Sequence, residues 1–213
     1  MTLVSNDPTV SALLDVAELT LKSSRAPRAT RHEDGIRVET DSDHTVMLTV
    51  MACAHAARWA PHLDVGKIAQ FAAVHDLVEA HAGDVQSLGM SADTRRLKEL
   101  AEHEALVRID RELADLPWIA HTIYEYEALA SEEARYVKIM DKVLPKLTHL
   151  LNGGAALREH GFSFKKAHAD HMRQRAQMAS EYPQAAALAV FDVVIAACAQ
   201  QWGITGANDG SGR

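Results

Sequence analysis

Two histidines and two aspartates have the types and the order in the chain that would let them bind one divalent metal ion. His75 and Asp76 are adjacent, His44 precedes them, and Asp141 follows. Imidazole nitrogen and carboxylate oxygen together suit Mn, Co, Ni, Fe or Zn better than Mg. We therefore predict a site for one divalent transition metal, with His44, His75, Asp76 and Asp141 as its ligands.

The surroundings of these residues argue against a chance pattern. The chain contains 12 histidines, so a His-Asp dipeptide alone carries little information. However, the residues that flank His75-Asp76 and Asp141 are largely apolar. Burying polar groups among apolar side chains is costly unless a partner compensates them. A shared cation would be such a partner.

Two further acids and one lysine lie near the predicted ligands in the sequence. Glu79 comes three residues after Asp76 and therefore shares a helical face with it. Asp84 directly follows a glycine at which the helix is expected to end, and a solvated helix end would explain it equally well. Lys138 lies one turn before Asp141 and can reach either a substrate phosphate or a neighbouring acid. Pairing with an acid is the commoner arrangement.

The elements that must position these residues are predicted to be helices. Apolar residues recur with a period near 3.6, and no segment alternates convincingly with a period of two. Residues 24–41 are expected to form a polar loop, after which Ser42 or Asp43 caps the next helix. The predicted helices cover about 9–23, 42–60, 64–83, 91–115, 118–130, 131–151, 163–182 and 185–202.

This pattern predicts an all-α fold, a single helical bundle of about seven to eight helices over residues 1–202. The metal-site core is expected in about 28–145, and 203–213 reads as a disordered tail. Leu97 and Leu100 are predicted to face the core. His168 and His171 are predicted to lie on the surface.

Composition restricts the partners. A net charge of −7 argues against a nucleic-acid or anionic-membrane binder. The most apolar segment, 185–199, is too short to span a membrane, and the first residues lack the pattern of a signal peptide. The two cysteines form no disulfide framework, so we expect a cytoplasmic protein. The apolar last helix is compatible with a homodimer and equally with a central core helix.

The ordered ligand set resembles the H…HD…D pattern of the HD phosphohydrolase superfamily. The chain is similar in particular to the HD-domain 5′-deoxynucleotidases. Residues 39–44 (ETDSDH) resemble the E-x-x-x-E-H segment of that family, with Asp43 in place of the second glutamate. Residues 75–79 with Gly83-Asp84 resemble HDxxE…GD, and residues 137–141 (VKIMD) resemble VKxxD.

The resemblance implies that Glu79 and Asp84 handle the attacking water and the leaving group. It also implies that an arginine before the first ligand helix contacts the substrate phosphate. Four arginines precede that helix, and the spacing fits none of them without a gap. Arg31 is chosen because His32 follows it, much as a tryptophan follows the family arginine. Relatives often have prolines where this chain reads VQSLG at 85–89, which leaves substrate selectivity open.

The sequence therefore predicts a metal-dependent phosphohydrolase of small nucleotides. A 5′-deoxynucleotidase that releases phosphate from deoxynucleoside 5′-monophosphates through a metal-activated water is favoured, with Arg31 and Lys138 binding substrate. Alternatives are a deoxynucleoside triphosphate triphosphohydrolase and a non-catalytic nucleotide-binding HD sensor. The complete ligand set and Glu79 argue against the sensor. A dinuclear centre would need extra ligands, and no spacing supports them.

Overall fold

The computed structural model describes residues 7–84, 90–183 and 185–204. Within those ranges the chain forms ten helices and two short strands, so the predicted all-α fold is confirmed. Two helices have a single turn, which explains the excess over the predicted number. The helices are α1 (Pro8–Ser23), α2 (Asp41–Trp59), α3 (Val65–Val74), α4 (Glu79–Ala82), α5 (Ala92–Glu112), α6 (Trp118–Glu127), α7 (Glu132–Leu151), α8 (Ala155–Glu159), α9 (Phe164–Glu181) and α10 (Ala187–Gln201), and the strands are β1 (Pro27–Arg31) and β2 (Val38–Thr40).

The chain divides into two compact units. The first contains Met1–Ala29 and Val38–Lys138, and the second contains Thr30–Arg37 and Ile139–Arg213. The boundary falls inside α7, directly after Lys138. The single domain predicted over 1–202 stays a prediction. Residues 205–213 of the predicted tail and the segment 85–89 lie outside the described residues.

The core of the first unit is built from α1, α3, α5 and α6. Leu19, Val74, Ile109 and Ile123 belong to one buried apolar cluster. The prediction that Leu97 and Leu100 face this core was wrong, since they are 67% and 54% exposed. The inward stripe of α5 instead runs through residues 98, 102, 105 and 109, whose spacing of three or four keeps them on one face. Its first two positions are polar, Lys98 and Glu102, which apolar periodicity alone does not detect.

A hairpin replaces most of the loop predicted for residues 24–41. β1 and β2 pair in a two-stranded sheet, and the connection is closed by the His32 amide, which donates to the Arg37 carbonyl. The strands have five and three residues, too few for a periodicity of two to be recognised. β2 ends at Thr40, whose extended backbone lets it cap α2. Thr40 and Asp43 form a reciprocal capping box, so the predicted cap at Ser42 or Asp43 was two or three residues too late.

The second unit contains α8, α9, α10 and the last three turns of α7. Gly154 has a φ of +76°, and a Cβ there would lie 2.8 Å from the Phe164 ring, so glycine is required at this break between helices. The prediction of a surface position was wrong for His171, which is buried against Trp202. Cys198 and the apolar residues around it bury α10 within this unit, and the predicted homodimer stays a prediction.

Among the described residues we find no helix with the length and apolar character that crossing a membrane requires.

Candidate metal centre

Three of the four predicted ligands lie together in the first unit. His44, His75 and Asp76 each offer one ligand atom, and these atoms lie within 4.8 Å of one another. Asp76 Oδ2 is 3.0 Å from His75 Nε2 and 3.9 Å from His44 Nε2. Both imidazoles are buried. We call these three residues the histidine-aspartate cluster.

Each imidazole is held by its Nδ1 atom. His44, in the first turn of α2, has Nδ1 3.1 Å from Glu39 Oε1. His75 has Nδ1 2.9 Å from the Ala72 carbonyl oxygen. Because a carboxylate and a carbonyl only accept, both Nδ1 atoms donate, which leaves Nε2 as the atom of each ring that a metal would bind. This is the arrangement in which protein histidines bind metals.

At the His-Asp pair the α-helix gives way to a tighter turn. The structure ends α3 at Val74, so the prediction of a helix continuing to Gly83 was wrong. His75 still donates its amide four residues back, to Phe71, whereas the Glu79 amide donates only three residues back, to Asp76. Adjacent residues of a regular α-helix point about 100° apart. The turn between α3 and α4 removes that constraint and lets His75 and Asp76 face the same point.

Two predicted residues lie on α7, on either side of the unit boundary. Asp141 belongs to the second unit, where it is buried and accepts a 2.8 Å hydrogen bond from Lys142 Nζ. It remains a predicted fourth ligand. Lys138 belongs to the first unit, with its ammonium 5.7 Å from the Tyr126 ring centre. Its contact with substrate remains a prediction.

An arginine of β1 joins the cluster, but it is Arg28 rather than the predicted Arg31. Arg28 Nη1 lies 2.8 Å from Asp76 Oδ2 and 3.2 Å from Asp41 Oδ1. The Arg31 guanidinium instead forms a two-point ion pair with Glu159 within the second unit. Residues 28 and 31 are separated by an odd number, and side chains of a strand alternate between faces. Recognition of the strand would therefore have separated the two arginines.

The predicted acids Glu79 and Asp84 lie together with Asp41, which sequence reasoning missed. Carboxylate oxygens of these three residues, here called the acid group, lie within 4.8 Å of one another. Asp41 and Glu79 are buried. The ammonium of Lys98, also missed, is 2.9 Å from Glu79 Oε1 and 4.0 Å from Asp84 Oδ1.

Burial shifts the pKa of Asp41 and Glu79, the two buried members of the acid group. It raises the pKa of Glu79 well above its usual range, and the nearby Asp76 carboxylate raises it further. Burial also raises the pKa of Asp41, against the opposing charge of Arg28. Although burial disfavours the charged form of Lys98, its carboxylate neighbours raise the pKa of that ammonium overall. A nearby divalent cation would oppose these upward pKa shifts of Glu79 and Asp41.

The donor set fits a divalent transition metal. The cluster offers two imidazole nitrogens with their Nδ1 protons fixed, and a carboxylate beside them. Glu39 Oε2, Asp41 Oδ2 and Glu79 Oε2 are buried without a hydrogen-bond partner. Buried carboxylate oxygens in that condition are costly unless a cation compensates them. Both observations favour a bound cation in this part of the first unit.

Comparison with known proteins agrees with this description. A family model for the HD domain matches residues 21–183. A structure from Magnetospirillum magnetotacticum MS-1, described as a predicted metal-dependent phosphohydrolase, has a TM-score of 0.71 at 21% identity and is matched over 93% of this chain and 98% of that chain. A conserved hypothetical protein from Pyrococcus furiosus has a TM-score of 0.54 at 24% identity, over 85% of this chain and 98% of that chain. No curated protein matches the sequence.

At these identities the two solved structures support the fold. The family match rests on the sequence itself and includes β1, α2, the His-Asp turn and Asp141. The chain belongs to the HD-domain family.

Proposed function

We propose that this protein is a metal-dependent phosphohydrolase that releases phosphate from deoxynucleoside 5′-monophosphates. The observation that carries the proposal is the pair of His44 and His75 Nε2 atoms beside Asp76, with Arg28 bonded to that same aspartate. The Magnetospirillum relative, described as a predicted metal-dependent phosphohydrolase, supports the reaction class.

His44, His75 and Asp76 would hold the ion, and Asp141 is proposed as the fourth ligand. The set leaves coordination positions for water and a phosphate oxygen, and Mn, Co, Ni, Fe or Zn suits it. A divalent ion held there would lower the pKa of water and would offset the negative charge of the phosphoryl group. Glu39 fixes the ring of His44.

Glu79 is proposed as the general base and Asp84 as the general acid. Glu79 begins α4 directly after the turn that carries the ligands, and its buried Oε2 has no hydrogen-bond partner. That oxygen is available to accept a proton from the attacking water. Asp84 follows the end of α4 and would donate a proton to the leaving oxygen. Lys98 binds the other oxygen of Glu79 and holds its carboxylate in place.

Arg28 is proposed to bind the substrate phosphate in place of the predicted Arg31. Its planar guanidinium has five donors and suits two-point recognition of phosphate oxygens. Its side chain is only 13% exposed and is fixed by carboxylates of the site. Arg31 is engaged with Glu159. Lys138 remains a second proposed phosphate contact.

A panel of substrates tests this function. Metal-stripped protein is reloaded with Mn²⁺, Co²⁺ or Mg²⁺ and given deoxynucleoside mono- and triphosphates, and both inorganic phosphate and tripolyphosphate are measured. Phosphate from monophosphates supports the proposal, and tripolyphosphate supports the triphosphohydrolase. Nucleotide binding without turnover supports the sensor. His75→Ala should abolish turnover, whereas His121→Ala, on an exposed residue of α6, should leave it unchanged. Full activity of His75→Ala would overturn the proposed site.

A further inference from the structure

We propose that the Lys98 ammonium takes the place of a second divalent cation, so that this centre binds one metal ion. The inference rests on the proposed function, since it concerns the acids beside the proposed ligands. It defines a positioning role for Lys98: holding Glu79 and Asp84 as proton-transfer groups and keeping them from becoming ligands.

The acid group has the composition of a second metal site. Asp41, Glu79 and Asp84 bring three carboxylate oxygens within 4.8 Å of one another. Hard divalent cations are commonly bound by such oxygen sets. Asp41 Oδ2 and Glu79 Oε2 are buried and lack hydrogen-bond partners, so these oxygens still favour a positive charge. Without a fixed cation, this group would compete for metal ions.

Lys98 supplies that fixed cation. Its Nζ is 2.9 Å from Glu79 Oε1, 3.2 Å from Glu102 Oε1 and 4.0 Å from Asp84 Oδ1. The lysine side chain is 21% exposed and lies on the inward stripe of α5, which α4 packs against. An ammonium held at these distances repels a divalent ion that would need the same oxygens.

The charged groups of the first unit are better suited to one added divalent ion than to two. Arg28 binds Asp41 and Asp76, while Lys98 binds Glu79 and approaches Asp84. Glu79 and Asp84 therefore already have the Lys98 ammonium at 4.0 Å or less. Asp76, by contrast, lies beside the imidazoles of His44 and His75, so a divalent ion bound there gains two nitrogen ligands that the acid group lacks. The metal ion is thus assigned to the histidine-aspartate cluster, and Lys98 to Glu79 and Asp84.

Metal stoichiometry tests the proposal. Wild type, Lys98→Met and Lys98→Arg are dialysed against Mn²⁺, and bound metal per chain is measured by elemental analysis, with electron paramagnetic resonance reporting spin-coupled Mn²⁺ pairs. Lys22→Met is the matched control, because Lys22 forms a pair of the same 2.9 Å length with Glu18 on the surface of α1. Wild type, Lys98→Arg and Lys22→Met should bind about one ion, and Lys98→Met about two with a coupled signal. Adding Asp84→Asn to Lys98→Met should restore about one.

The outcomes separate this proposal from the proposed function. Folded Lys98→Met with about one ion would overturn the role of Lys98 and leave the proposed function intact. Two ions in wild type, measured with excess Mn²⁺, would do the same and need no variant to fold. No bound ion in wild type would overturn the proposed function, and the Lys98 proposal with it.

Discussion

Arg28 and Asp76, 48 residues apart in the chain, are joined by a hydrogen bond of 2.8 Å between Nη1 and Oδ2. The same nitrogen is 3.7 Å from Glu79 Oε2. One guanidinium therefore connects a proposed metal ligand with the proposed general base. A phosphate that binds Arg28 would lie beside both groups, which is the placement that hydrolysis requires.

The two arginines of β1 should differ sharply in their effect on catalysis. Arg28→Lys removes two-point phosphate binding and the bond to Asp76, so kcat/KM for a monophosphate substrate should fall about 100-fold, on the order of 3 kcal/mol. Arg31→Lys should change it less than about threefold, because Arg31 pairs with Glu159 on the surface. Steady-state kinetics at saturating Mn²⁺ measures both. Equal losses in the two variants would contradict the assignment of Arg28.

The Glu39–His44 contact should set metal affinity. Replacing Glu39 with Gln or Ala weakens the acceptor that fixes the His44 ring, so the Kd for Mn²⁺ should rise about 10- to 100-fold. Glu132→Gln is a matched control, since Glu132 Oε1 lies at the same 3.1 Å from His62 Nε2 on the surface. Isothermal titration calorimetry compares the three variants with wild type. An unchanged Kd in both Glu39 variants would show that the contact does not act on the metal.

Sequence reasoning reached the helices and the order of the ligands, because both depend on local information. The period of 3.6 is visible within each helix, and caps such as Asp64 and Ser163 are read from a single turn. It did not find Lys98, whose charge has meaning only through Glu79, 19 residues away. Neither did it find Arg28, because a five-residue strand gives too short a pattern to separate its faces. The roles of Lys98 and Arg28 both depend on contacts between segments that are distant in the sequence.

The buried Lys146 of the second unit should make stability depend on pH. Its Nζ donates to the Lys142 carbonyl and to Gln174, and burial lowers its pKa to about 7, with the nearby Lys142 charge adding to the shift. In the unfolded chain a lysine titrates near its usual value of roughly 10.4. Between these values the unfolded state binds more protons, so this group's contribution to stability rises with pH by up to about 1.4 kcal/mol per unit.

Comparison with a variant isolates this contribution. Lys146→Met should be more stable than wild type at pH 6 to 7, and the advantage should shrink as pH rises towards 10. Lys166→Met is the control, because the exposed Lys166 lies 4.6 Å from the centre of the Phe162 ring, much as Lys146 lies 4.7 Å from that of Phe191. Urea unfolding over this pH range measures the free energies. A Lys146→Met difference independent of pH would contradict the prediction.

Metal binding should stabilise the fold through Asp76. His44, His75 and Asp76 are brought together by folding, so an ion that they hold binds the folded chain in preference to the unfolded chain and stabilises it. At Mn²⁺ about 100-fold above its Kd, stability should rise by about 2.7 kcal/mol, and the melting temperature by several degrees. EDTA should reverse the shift, and Asp76→Asn should abolish it. Asp192→Asn, which removes an ion pair with Arg175 in the second unit, should keep it. Scanning calorimetry decides between these outcomes, since a full Mn²⁺ shift in Asp76→Asn would place the ion elsewhere.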